Sequence, residues 1–315
     1  MRYRALGNSG LVVSVVGLGC NNFGRRLDLA GTRAVVNAAI DCGVTLLDTA
    51  DTYGGSGESE ELLGEVLNGR RDRVVLATKF GHQGADLGYG PAAGAKGGRK
   101  YIRRAVEESL RRLRTDHIDL YQIHTPDPVT PIAETLAALG ELVAEGKVRY
   151  LGNSNFSGWQ IAEAACVAER GGDVPFVSAQ NHWSLLERAA EAEVVPAARR
   201  FGLGVLPYFP LANGLLTGKI RRGQPPREGT RLAGRDDYVT EAKLDIVEAL
   251  ASWADARGVS LLEVAIACLA EQPGCSSVIA GAMSAEQVKA NAAAGDWIPT
   301  AEERTEVDAI TLGLT

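Results

Sequence analysis

Four residues able to handle a proton stand at or just beyond the ends of three apolar runs. Asp48 closes the run from Val44, and Tyr53 follows in Asp48-Thr49-Ala50-Asp51-Thr52-Tyr53-Gly54. Lys79 closes Val74-Val75-Leu76-Ala77-Thr78-Lys79, and His124 ends Ile118-Asp119-Leu120-Tyr121-Gln122-Ile123-His124, ahead of Thr125-Pro126. A free phenol has a pKa of about 10 and is a poor acid at neutral pH. An ammonium at Lys79 would favour phenolate and lower that value, and Asp48 would partner the lysine in a closed site. His124 can bond a substrate oxygen and orient it. Together these groups make a proton-donating pocket with neither nucleophile nor metal, as reduction of a carbonyl by hydride requires. Taken singly, each has a commoner use as a cap, a packing ring, a surface charge or a loop filler. Their coincidence at three successive strand ends makes them a constellation.

The elements that must position them follow from the apolar pattern. Residues 2–14 read as a hairpin about Gly7-Asn8-Ser9-Gly10, and 13–19 as a first buried strand. A rhythm of strand and helix follows. Strands are expected at 44–48, 73–79, 118–124, 148–152, 176–180, 203–207 and 277–280. Helices are expected at 30–42, 58–68, 99–114, 131–145, 157–170, 188–201, 240–257, 260–271, 284–293 and 301–311. In helix 99–114, Ile102, Val106, Leu110 and Leu113 share a face, with Arg103, Arg104, Arg111 and Arg112 largely opposite. Residues 80–98, rich in glycine, and 208–238, rich in proline and basic residues, read as long loops.

Eight strands alternating with helices and no linker imply one domain, 1–315, with a parallel sheet covered on both faces. A closed (β/α)8 TIM barrel fits this length better than an open, doubly wound sheet, and the two long loops then lie at its mouth as lids. Gly17-Leu18-Gly19 lacks the spacing of a dinucleotide fingerprint and reads as close backbone packing at the first strand.

Composition narrows the setting. The net charge of -6 lacks the basic excess of a nucleic-acid binder. Cys20, Cys42, Cys166, Cys268 and Cys275 are odd in number and scattered, which points to reduced thiols and a cytoplasmic location. No apolar stretch reaches the roughly 18 residues of a membrane span, and no signal-peptide core follows Met1.

The segments around Asp48 to Gly54, Lys79-Phe80-Gly81 and Leu120 to Asp127 resemble the aldo-keto reductase superfamily. Gly146 to Phe156, Ser178-Ala179-Gln180-Asn181 and Tyr208 to Lys219 match in the same order. The resemblance runs from the hairpin to about Asn291. It implies a (β/α)8 barrel with an N-terminal hairpin closing the bottom. It also implies a catalytic tetrad of Asp48, Tyr53, Lys79 and His124, with Tyr53 as general acid. Ser154, Asn155 and Gln180 fall where the family holds the nicotinamide carboxamide, and Tyr208 where a ring stacks on the nicotinamide. Leu211, Asn213, Leu215 and Lys219 lie in the loop that follows the pyrophosphate. Gly281, Gln287 and Asn291 belong to the last cofactor segment, the two amides near the adenine.

Many members carry a lysine or arginine in that last segment for the adenosine 2′-phosphate. Here Gly281, Ala282 and Met283 stand instead, with no cation before Lys289. Arg221, Arg222 and Arg227 are candidate substitutes. The resemblance favours NADP(H), with NAD(H) as the alternative, and a small carbonyl compound, sugars included, as substrate. Trp183 and Phe209 either shape a substrate wall or fill the barrel rim, and His82 and Tyr89 in the 80–98 loop either touch substrate or stand in solvent. Two rivals stand beside this reading. One is a cofactor-binding accessory subunit with little turnover; the other is a barrel hydrolase using Asp48 and Asp51, or a glutamate, as acid and base.

Overall fold

The computed structural model describes residues 1–220, 222, 223, 232 and 237–312. Strands Tyr3–Ala5 (β1) and Val12–Ser14 (β2) form the antiparallel hairpin. Its turn sits against the barrel floor: Gly7 has φ +56°, and a Cβ there would lie 2.4 Å from the Gly202 carbonyl oxygen. Leu6, Leu11 and Val13 plug the barrel from below, packing with Leu46, Ala77, Leu120 and Leu206 in one buried cluster.

Among the described residues eight parallel strands follow: Val16–Gly19 (β3), Leu46–Asp48 (β4), Val75–Phe80 (β5), Ile118–Ile123 (β6), Val148–Ser154 (β7), Phe176–Gln180 (β8), Gly204–Val205 (β9) and Val278–Gly281 (β10). They are ordered β10-β3-β4-β5-β6-β7-β8-β9. The ring closes at a seam between β9 and β10, where Val205 N donates to Gly274 O, Ser276 N to Val205 O and Ile279 N to Pro207 O. Parallel bridges join Val205 to Cys275 and Tyr208 to Ile279. The result is the (β/α)8 barrel expected from the alternation.

Around it lie helices Leu29–Asp41 (α1), Glu58–Val66 (α2), Arg99–Leu113 (α3), Ile132–Ala144 (α4), Gly158–Gly171 (α5), Val194–Arg200 (α6), Glu241–Asp255 (α7), Leu261–Ala270 (α8), Ala285–Ala294 (α9) and Ala301–Leu312 (α10). Most bury one stripe against the sheet or a neighbouring helix, as their period requires, whereas α8 is buried nearly all round, at Leu261 and at every position from Val264 to Ala270. Local chemistry sets several starts. The Asp28 carboxylate caps α1 through Gly31 N, and Ser260 with Glu263 forms a capping box on α8. No described helix is long and apolar enough to cross a membrane.

Four expectations change. The strand expected at 13–19 is two: it divides at Val15, where the chain leaves the hairpin and enters the barrel. The helix expected at 188–201 is a short 3-10 turn, Ala189–Glu191, followed by α6. Pro196 explains the late start: it has no N–H to donate and crowds the preceding turn, so it fits only near a helix beginning. The strand expected at 203–207 is confined to Gly204–Val205, with a further bridge at Tyr208. Arg112 is not on the polar face of α3 but buried, its Nε 2.7 Å from Glu60 Oε2.

Candidate active site

Parallel strands all point their carboxyl ends to one mouth, so the residues closing them meet there. Asp48 ends β4, Lys79 lies one residue before the end of β5, and His124 follows β6. Ser154 ends β7 and Gln180 ends β8. Tyr53 comes from the turn after β4, which is tightened by Gly54 at φ +78°. Above this floor opens a cleft of about 920 Å³, a size typical of small-molecule and cofactor sites.

Lys79 is the hub. Its Nζ lies 2.6 Å from Asp48 Oδ2, 3.1 Å from the Thr49 carbonyl and 3.4 Å from the Tyr53 hydroxyl. The remaining Asp48 oxygen accepts from Gln180 Nε2 at 2.9 Å and Gln122 Nε2 at 3.1 Å. The His124 ring stands edge-on to Tyr53, with centroids 6.0 Å apart, and edge-on to His82 at 4.7 Å. Asn155, in the left-handed region at φ +60°, donates to the His124 carbonyl and accepts from the Tyr208 hydroxyl at 2.8 Å. Ser154 Oγ donates to Gln180 O at 2.9 Å.

Electrostatics sort the roles. Burial works against charge on Lys79, but Asp48 and then Tyr53 outweigh it, and its pKa is raised. The ammonium is held. Burial pushes the Tyr53 phenol up, and Lys79 pulls down with less force, so the net shift is upward. This corrects the expectation of a lowered phenol: with the cleft open as it stands, Tyr53 is a neutral donor. His124 is pushed down to about 2 by burial, then by Lys79 and His82. It is therefore a neutral imidazole at physiological pH.

Of the residues singled out, Asp48, Tyr53 and His124 line the cleft, while Lys79 lies buried beneath Tyr53. Ser154, Asn155, Gln180 and Tyr208 line it further along. Leu211, Asn213, Lys219, Gly281, Gln287 and Asn291 also face it. Leu215 does not present its side chain there: it is wholly buried with Leu216, Leu244 and Leu250 in a separate apolar cluster. One face of the Tyr208 ring stacks on His182, the two planes 7° from parallel. Trp183 is packing, 1% exposed, with its indole N–H on Glu191. His82 and Phe209 reach the cleft, whereas Tyr89 packs on Tyr101 in the 80–98 segment.

The phosphate candidates separate as well. Arg222 donates to Glu241, Asp245 and Glu248, which occupy its charge. Arg221 and Arg227 lie outside the described residues, as does part of the 208–238 loop. Lys289 is exposed on α9, and the cleft-lining cations among the described residues are Arg26 and Lys219. Arg26 escapes a sequence reading because nothing in a loop marks which way it faces. Gln122 escapes it too, although a glutamine inside a fully buried strand is a usable signal. Asp48 and Asp51 do not form a carboxylate pair facing substrate. Asp51 is wholly buried outside the cleft, and among the described residues no glutamate lines it, so the acid–base pair of the hydrolase reading is not brought together there.

Known proteins share this sequence pattern. Residues 15–311 match the model of the aldo/keto reductase family. The chain is 40% identical to the uncharacterized oxidoreductase YrpG of Bacillus subtilis, over 92% of this chain and 89% of that one. It is 36% identical to a probable voltage-gated potassium channel subunit beta of Oryza sativa subsp. japonica, over 98% and 96%. It is 33% identical to L-glyceraldehyde 3-phosphate reductase of Escherichia coli O157:H7, over 98% and 92%.

Proposed function

The chain belongs to the aldo/keto reductase family, and on that premise we propose that it reduces small aldehydes or ketones with a nicotinamide dinucleotide, Tyr53 giving the proton. The observation that carries this is the relay at the cleft floor: Asp48 holds Lys79 at 2.6 Å, and Lys79 reaches the Tyr53 hydroxyl at 3.4 Å. The bound dinucleotide supplies the hydride. Everything else falls to this chain. Tyr53 donates its proton to the carbonyl oxygen as negative charge develops there, and the Lys79 ammonium stabilises the phenolate left behind. Neutral His124 orients the same oxygen. In the reverse direction the same groups oxidise an alcohol or a sugar's anomeric carbon.

The residues present fit a dinucleotide. Ser154, Asn155 and Gln180 offer amide and hydroxyl groups suited to a carboxamide, and Tyr208 offers a ring beside them. Leu211, Asn213 and the Leu215 backbone belong to the loop assigned to the pyrophosphate. Gly281, Gln287 and Asn291 are assigned to the adenosine end. Arg26 and Lys219 bring positive charge to the cleft, which supports NADP(H) over NAD(H) although the 281–287 segment has no cation. The relative named for L-glyceraldehyde 3-phosphate supports a small aldehyde as substrate. All five cysteines are free, which supports a reducing, cytoplasmic setting.

Binding of NADPH and NADH, followed by quenching of tryptophan fluorescence, tests the reading together with NADPH consumption across a panel of small aldehydes and ketones. Wild type should bind NADPH more tightly and turn over. Tyr53→Phe should bind equally and lose turnover, whereas retained turnover would remove Tyr53 as the acid. The likeness to potassium channel β subunits supports a second reading, an accessory subunit that binds cofactor with little turnover. Tight binding without turnover on any carbonyl would select it, and binding of neither nucleotide would sink both.

A further inference from the structure

The Asp48 carboxylate can only accept hydrogen bonds, and this settles the orientation of two buried amides. Both Gln122 and Gln180 must turn their NH₂ groups to Asp48 Oδ1. The Gln122 carbonyl, facing the other way, then accepts from Gln180 Nε2 at 3.2 Å. Gln180 thus spends its NH₂ group on Asp48 and Gln122, and it lines the cleft. What it has left to offer a ligand is a carbonyl oxygen, an acceptor. Gln122 itself is 0% exposed and does not line the cleft. Space for it comes from Gly152, its partner in β7, where a Cβ would lie 3.0 Å from Gln122 Cγ and 2.3 Å from Ser178 Oγ.

We propose that Gln122 is a positioning residue for the reaction: it holds Asp48 beneath Lys79 and fixes Gln180 as an acceptor toward the cofactor. The inference rests on the reductase reading above. It couples two ends of the site that are separate in sequence. A carboxylate held by three donors keeps Lys79 aligned under Tyr53, and the oriented amide admits only a hydrogen-bond donor in the cleft beside it. A cofactor carboxamide would therefore meet Gln180 with its NH₂ group.

The experiment compares wild type with Gln122→Met and Gln122→Glu. Gln122→Met keeps the volume and removes both hydrogen bonds. Losing a bond to a charged group should lower kcat roughly ten- to hundredfold, with the carbonyl KM within about twofold of wild type, and should weaken NADPH binding. Gln122→Glu, when protonated, can still donate to Asp48 and accept from Gln180. Burial beside a second carboxylate raises its pKa, so its kcat should approach wild type at acidic pH and fall as pH rises through that raised value. Packing alone predicts no such profile. Unchanged kcat, pH profile and cofactor affinity in both variants would overturn the role of Gln122 while leaving the reductase reading intact. If wild type itself does not turn over, the reductase reading fails, and Gln122→Met must still weaken NADPH binding for the positioning role to stand. Should the Gln122→Met chain fail to fold, the pH profile of Gln122→Glu decides: a fall in kcat with rising pH upholds the role, and a profile like wild type overturns it.

Discussion

Strand β5 separates two buried charge networks that follow opposite rules. Lys79 turns into the barrel, and its immediate neighbour Thr78 turns out toward the helices, as alternation along a strand requires. On the inner side Asp48 is fully engaged, with Lys79, Gln122 and Gln180 as donors. On the outer side Glu60 pairs with Arg112 at 2.7 Å and accepts from Thr78 Oγ1 at 2.6 Å. Near them lies Asp51, whose carboxylate oxygens have no side-chain or backbone partner of good geometry among the described residues. Burial and then Glu60 push that carboxyl up to about 8. One network holds a buried cation against a group that lines the cleft; the other lies outside the cleft, and burial there raises the pKa of a carboxyl. Burial of charge is therefore not in itself a sign of chemistry. What distinguishes the inner network is that its hub touches a group lining the cleft.

Substitutions test this contrast directly. The largest effect belongs to Lys79→Met, expected to cut kcat by more than about a hundredfold, a typical contribution of proton transfer by a positioned group. Its check is single-turnover kinetics with saturating NADPH. Arg112→Met should act on stability instead, because it strands Glu60 in the interior. A cost of about 3–5 kcal/mol is expected for a broken buried pair, read as a lower denaturation midpoint, with kcat per folded molecule unchanged. Lost turnover at an unaltered midpoint would mean the outer network also serves the reaction.

A smaller effect runs through pH. The Asp51 carboxyl has a folded value of about 8 against an ordinary value of 3.8. Between those pH values the folded chain holds a proton that the unfolded chain releases. Stability therefore falls as pH rises from about 4 toward 8, by at most about 1.4 kcal/mol per unit, and levels off above. Asp51→Asn should flatten that slope, measured as the thermal midpoint at pH 6 and pH 8. An equal slope in both proteins would reject the protonated carboxyl. The smallest expected effect is an absence of change. With its pKa near 2, His124 stays neutral from about pH 5 to 8, so kcat should carry no inflection from it there. An inflection lost in His124→Gln would show that the ring does titrate.

The same contrast marks how far the sequence can be read. Apolar runs and helical stripes are local, and they carry the βα rhythm and the residues at its strand ends. Where a local cue is stronger than the pattern, as at Pro196, the boundary moves. The helical wheel points Arg112 outward because the wheel is a local property, while its partner Glu60 is 52 residues away. Gln122 and Gln180 reach Asp48 across 74 and 132 residues. Such meetings are products of barrel closure, and no spacing rule along the chain contains them. The sign of the Tyr53 shift is hidden for a related reason. The lysine beside it is foreseeable, but the depth of burial that outweighs the lysine is not.

The seam between β9 and β10 has a mechanical consequence. Elsewhere the ring is bound by ladders, but there the described residues join through three backbone hydrogen bonds and two isolated bridges. A hoop built this way is a split ring, and strain applied to it concentrates at the split. The wall carrying Tyr208 rises beside that gap, while Asp48 and Lys79 sit on β4 and β5, which are joined to each other by a parallel ladder. Under the proposed reading, the split lies on the side of the dinucleotide, and the proton relay stands on laddered strands away from it.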